Sequence, residues 1–197
     1  MANLTTTTAT TLIRLLLDNA SAPYFTDAEI ASFLELSIKE FIDKNYLRFE
    51  ESQKHRDNLR TLVSVSTSQT ITNNSIALPS DYRHFLSLTI NGASVKMIQI
   101  DDHEALRSDP FNAPSITSPA CTLTDTGIFL YPISITASSI ATMRITYLSW
   151  NESSDDIESL PDHTHEEIVN ITVRKLMANT KDDAYQVQAV EEKQNKL

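Results

Sequence analysis

Apolar residues in this chain repeat at helical spacing near both ends and alternate in the middle. That change of period, from about 3.6 to 2 and back, confines the fold to helical ends flanking a sheet. The clearest stretch opens at Thr26-Asp27-Ala28-Glu29. This is a capping box, in which Thr26 satisfies the Glu29 amide and the Glu29 side chain reaches back to Thr26. Ile30, Phe33, Leu34, Ile38, Phe41 and Ile42 follow as a broad apolar stripe, which predicts an amphipathic helix. Upstream, Thr5 to Thr11 are nearly all threonine, a poor helix interior, so the first few residues are expected to fray. Leu12, Ile13, Leu15, Leu16 and Leu17 predict a short, mostly buried helix over residues 10–19, broken by Ser21-Ala22-Pro23. The mixed charges of residues 50–60 carry a further helical turn or two toward Leu59.

From Leu62 the pattern becomes strand-like. Leu62, Val63 and Val65 begin it, and Ile76-Ala77-Leu78 stops at Pro79. Phe85, Leu86, Leu88 and Ile90 lead into Asn91-Gly92, followed by Val95, Met97, Ile98 and Ile100. Asn-Gly between alternating runs predicts a hairpin, because both residues tolerate positive φ. Asp101 to Arg107 predicts a one- or two-turn helix, and Pro110, Pro114 and Pro119 mark a rigid loop. Cys121 and Leu123 are expected to pair with Ile128, Leu130 and Tyr131 across Asp125-Thr126-Gly127. A last strand is expected over about Ile140 to Tyr147. After an acidic loop, Leu160-Pro161-Asp162 precedes a helix whose stripe is Ile168, Val169, Ile171, Val173, Leu176 and Met177. Asp182-Asp183 opens a second amphipathic stretch.

The chain therefore reads as α+β in three parts: helical over 1–60, a β domain over 61–150, helical over 151–197. Neither helical end hides much apolar area alone. The N- and C-terminal helices are thus expected to pack as one bundle, with the antiparallel β domain, a small sandwich or curled sheet, inserted between them.

Composition narrows the chemistry. Sixteen Lys and Arg stand against 26 Asp and Glu, which argues against a protein that grips phosphate backbones. Only two glycines, Gly92 and Gly127, exclude a Gly-rich nucleotide loop. The single cysteine, Cys121, excludes an intramolecular disulfide and a cysteine-only metal knuckle. The run Leu12 to Leu17 is too short and too interrupted for a bilayer span, so a cytoplasmically made protein is expected.

Candidate chemical groups are few. His163 and His165, with Asp162, Glu166 and Glu167, form a ligand-like cluster, but at a helix start i and i+2 diverge by about 200°. A carboxylate-rich helix N-terminus explains them better. Asp101-Asp102-His103-Glu104 reads as a capped short helix. Cys121 could be a nucleophile with His84 or His103 as base, yet a lone thiol in a strand is far more often a small buried hydrophobe.

Three passages in order carry a resemblance. They are Thr11 to Asn19 with Tyr24-Phe25-Thr26-Asp27-Ala28-Glu29-Ile30 and the helix through Asn45; Leu78-Pro79-Ser80-Asp81-Tyr82-Arg83 before a strand and an Asn-Gly turn; and Leu160-Pro161-Asp162 with the helix Glu166–Asn179 and Asp182-Asp183-Ala184-Tyr185. Gly127-Ile128-Phe129-Leu130-Tyr131-Pro132 lies between the second and third. This order, over roughly residues 10–190, resembles the head–tail connector proteins (adaptor or tail tubular A-like) of tailed bacteriophages. The Pro- and Ser-rich stretch Asn112 to Pro119 and the short C-terminal tail depart from that pattern.

The resemblance implies a structural virion protein of the neck, made in the host cytoplasm, without enzymatic activity, catalytic or metal-ligating residues, or a cofactor. It implies a homo-oligomeric ring of about twelve copies. Its partners are the portal protein above and further tail proteins below, with DNA passing through the channel without sequence-specific binding and no membrane involved. Portal docking carries over to the C-terminal segment, at Asp182, Tyr185, Val187, Val190 and Leu197. Two other readings compete: a different tail or neck ring protein or a β-domain binding module, and, ranked last, a metal-dependent enzyme built on Asp162 to Glu167.

Overall fold

A computed structural model describes residues 4–17, 25–67, 71–109, 111–125, 127–132, 135, 140, 142–150 and 156–180. The chain is α+β and divides into two compact units, Met1–Leu62 with Glu152–Leu197, and Val63–Asn151.

The helical unit holds α1 (Thr6–Leu16), α2 (Asp27–Tyr46), α3 (Gln53–Leu59) and α5 (His165–Thr180). In α2 the capping box forms as the sequence predicts: the Thr26 hydroxyl accepts from the Glu29 amide at 3.3 Å, and Glu29 Oε2 accepts from the Thr26 amide at 2.7 Å. The bond from the Thr26 backbone, then that from its hydroxyl, holds the Glu29 carboxyl below the ordinary carboxylate range. Thr26→Ala is expected to destabilise the chain by about 1 kcal/mol, read from denaturant melts. A lowered carboxyl pKa stabilises above the unfolded value, so the Glu29 part of this effect fades as pH falls through the lowered value. The α2 stripe buries Ile30, Leu34, Ile38, Phe41 and Ile42, against an α5 stripe of Ile168, Val169, Ile171, Val173 and Leu176. The two helices run antiparallel, with Lys175 Nζ 2.8 Å from Glu40 and Lys44 Nζ 3.1 Å from Glu167.

Helix α1 departs from expectation. The threonine run is helical: Thr5 is the N-cap, and the hydroxyls of Thr10 and Thr11 donate to the carbonyls of Thr6 and Thr7. Each hydroxyl thereby finds an acceptor inside the helix it would otherwise compete with. Only Ala9 and Ile13 are buried; Leu12, Leu15 and Leu16 face solvent, Leu15 at 60% exposure.

The β unit is a pair of sheets around one core. Strands β1 (Val63–Ser66), β9 (Met143–Ser149), β4 (Tyr82–Ile90) and β5 (Ala93–Ser94) form the first sheet, in that order. Strands β2 (Ile71–Thr72), β3 (Ser75–Ile76), β8 (Gly127–Tyr131), β7 (Ala120–Thr124) and β6 (Lys96–Met97) form the second. All pairs are antiparallel except β6 with β7. Leu88, Ile90, Ile145 and Tyr147 of one sheet and Ile76, Cys121, Ile128 and Leu130 of the other share the core. Asn91 (φ 51°) and Gly92 (φ 81°) make the two-residue turn between β4 and β5, as Asn-Gly predicts. A second turn of this kind, at Asn73 (φ 51°) and Asn74 (φ 63°), joins β2 to β3. The expected short helix is α4 (His103–Ser108), but Asp102 at its start makes no side-chain cap bond. The last strand begins at Met143 rather than near Ile140.

Candidate docking surfaces

Several of the groups that could carry chemistry have structural partners among the described residues. Asn45 and Asn58 are buried and central. Asn45 Nδ2 donates to the Phe41 carbonyl (2.9 Å), while its Oδ1 accepts from Asn58 Nδ2 and His55 Nδ1, both at 2.8 Å. Asn58 Oδ1 accepts in turn from His163 Nε2 at 3.1 Å. His165 is buried and its Nε2 donates to the Leu160 carbonyl at 3.0 Å. Both histidines thus turn Nε2–H toward protein oxygens, so neither offers that nitrogen's lone pair to a metal. Among the described residues no group of three His, Cys, Asp or Glu side chains converges to hold a metal ion. Asp162 and Glu166 are exposed, and Glu167 pairs with Lys44.

Cys121 sits fully inside the β core. Burial pushes its thiol up to about 12, so almost no thiolate exists near neutral pH. His84 aligns with Leu148 on β9, one residue out of phase with core-facing Tyr147, and so lies on the other side of its sheet from the core. No nucleophile–base pair forms between them. A maleimide at pH 8 is expected to leave Cys121 unmodified in the native chain and to label it fully in denaturant; rapid native labelling would contradict this burial.

Both Leu-Pro motifs are turns. The Pro79 carbonyl accepts the Tyr82 amide at 3.1 Å, and the Pro161 carbonyl accepts the Thr164 amide at 2.9 Å. Asp81 then fastens the far end of β9: its carbonyl accepts the Trp150 amide at 2.8 Å and its carboxylate accepts the Tyr147 hydroxyl at 3.1 Å. Burial, then that hydrogen bond and the carboxylate's charge, raise the Tyr147 pKa. These motifs are architectural.

A cleft of about 280 Å³ between α1 and α2 is lined by Thr6, Thr10, Arg14 and Asp27. Arg14 Nε and Nη2 both donate to Asp27 Oδ1, at 2.9 and 2.6 Å. The Thr6 hydroxyl donates to Asp156 and that of Thr10 to a helix carbonyl. The cleft holds no acid–base pair or nucleophile poised for reaction.

What the described surface does present is apolar side chains in water. Leu12, Leu15 and Leu16 form one patch on α1, and Leu36 and Leu47 are exposed on and just after α2. In the β unit, Val63 and Val65 face outward, and Ile100, Phe111 and Ile116 project from the loop between β6 and β7. Apolar surface of this kind is suited to contact with other proteins.

The model of the SU10 adaptor protein family matches residues 6–196. The chain belongs to the SU10 adaptor family. This is a family of phage head–tail adaptors, in accord with the resemblance in the sequence and with a surface suited to other phage structural proteins. No curated protein matches the chain. The C-terminal residues Asp182, Tyr185, Val187, Val190 and Leu197 lie outside the described residues. No helix among those described is long and apolar enough to cross a membrane. Sequence periodicity marks the α1 leucines as apolar but as buried, and it does not mark Phe111, which stands just before the Pro- and Ser-rich stretch Asn112 to Pro119.

Proposed function

We propose that this SU10 adaptor is a virion neck protein that assembles as a ring of about twelve copies beneath the portal. The ring docks on the portal above and on further tail proteins below, and the genome leaves through its lumen. The N- and C-terminal parts act as one helical bundle that carries the inserted β domain toward neighbouring subunits. The family match carries this reading. The antiparallel α2–α5 pairing and the His163–Asn58 bond support the bundle, since each joins the two ends of the chain. The surplus of acidic over basic residues suits a lumen wall from which DNA is repelled. The role is that of a structural protein, not an enzyme.

Portal docking is assigned to the C-terminal segment, with Asp182, Tyr185, Val187, Val190 and Leu197 as contact residues. Truncation after Lys181 tests it by co-sedimentation with the purified portal of the same phage. The expected result is lost portal binding with an unchanged Trp150 fluorescence melt. Undiminished binding by the truncated chain would move the docking site elsewhere.

A further inference from the structure

Two apolar patches of the β unit take no part in its core. The first is the outer face of β1. Ser64 aligns with Tyr147 and Ser66 with Ile145, both core residues, so the serines take the inward side. Val63 and Val65 therefore point outward, 36% and 45% exposed. This reverses the usual alternation of a half-buried strand, which turns its apolar residues in. Arg144 stands exposed on the same outer face of β9, two residues from Thr146, the partner of Val65. It makes no ion pair among the described residues.

The second patch is the loop from Ile98 to Pro119. Phe111 is 92% exposed and Ile116 54%. The loop is shaped by its own bonds. The Asp109 carboxylate accepts the Phe111 amide at 2.9 Å and Asn112 Nδ2 at 2.7 Å, and its carbonyl accepts the Ala113 amide at 3.0 Å. The Asn112 bond, then that from Phe111, keeps this carboxyl below the ordinary range. Ser115 and Ser118 exchange backbone bonds at 3.1 and 3.2 Å. Local structure thus holds two large apolar side chains out in water. Asp101, Asp102 and Asp109 give the same loop negative charge.

Topology separates the patches. β1 and β5 are the opposite edges of the first sheet, and only Val95 joins β5 to β6, the edge of the second. Two unlike patches make a head-to-tail contact, the kind that closes into rings. The charges also match, acidic on the loop and Arg144 beside the valines.

We infer that the loop Ile98–Pro119 of one copy docks on the outer face of β1 and on Arg144 of the next copy. Phe111 and Ile116 cover Val63 and Val65, and the loop carboxylates face Arg144. This inference rests on the ring reading above.

The test uses the full chain assembled with purified portal and a bismaleimide cross-linker; Cys121 is buried, so engineered thiols report alone. The double variant F111C/V65C is expected to yield a ladder of covalent oligomers. F111C alone and V65C alone are expected to stay single, while an equal mixture of the two gives dimers. Phe111→Asp is expected to cut the ring fraction about tenfold at fixed concentration, with an unchanged melt because the side chain lies in solvent. Rings that form without the ladder, or F111C cross-linked to portal instead, would overturn the inference and leave the ring reading standing. A chain that forms no ring with portal overturns both.

Discussion

Gly127→Val is expected to cost this chain about 4 kcal/mol or more, enough to collapse its soluble yield. Gly127 opens β8 with φ +144°, a conformation L side chains rarely adopt. A Cβ there would overlap the Ile76 carbonyl oxygen, which belongs to the backbone of the neighbouring strand β3 and cannot swing aside. Relief would require β3 to part from β8, opening the core around Ile76 and Ile128. Gly92→Ala is the matched control. Gly92 also has positive φ (+81°), but nothing lies within 4 Å of an added Cβ, so only the conformational penalty of about 1 kcal/mol applies. Trp150, the single tryptophan, is buried in the same unit and reports both transitions by fluorescence. Equal costs for the two variants would show that the overlap is relieved cheaply.

Asn45→Leu is expected to destabilise the helical unit by about 3 kcal/mol, because it strands several buried partners at once. The Asn45 side chain bridges Asn58, His55 and the Phe41 carbonyl. Removing it leaves the Asn58 amide and the His55 N–H without their acceptor, and loosens the Asn58 that receives His163. Circular dichroism at 222 nm follows the helices. The double change Asn45→Leu with Asn58→Leu removes donor and acceptor together, and should cost less than the sum of the single changes. Strict additivity would mean that the chain of bonds does not act as a unit.

These effects show which physics a sequence exposes. The α2 cap, the Asn91-Gly92 turn and the β7–β8 pairing depend on neighbours a few residues apart, so residue order alone announces them. The same holds for the two Leu-Pro turns, whose carbonyls accept from residues three positions on. The Asn73-Asn74 turn is equally local, but its flanking strands have two residues each and show no period to read. Strand β6, parallel to β7, is as short and pairs across a long loop. The Asn45–Asn58–His163 chain depends on three separate segments meeting. An asparagine in phase with an apolar stripe, four residues beyond Phe41, was its one trace in the sequence.

Helix α1 teaches the converse lesson. Its leucines carry an apolar pattern, and the pattern predicts burial, yet Leu12, Leu15 and Leu16 stand in solvent. Periodicity says that a face is apolar; it does not say whether the same chain or another covers it. For an adaptor that second possibility is the functional one, and the valines of β1 and the Phe111 loop pose the same question.

Electron cryomicroscopy of the neck of the intact phage, averaged at the portal vertex, tests the central claim most directly. The account predicts a ring of about twelve copies directly below the portal, into whose density both the helical unit and the β unit fit. Density for this chain at another place in the particle, or a neck assembled without it, would contradict the account.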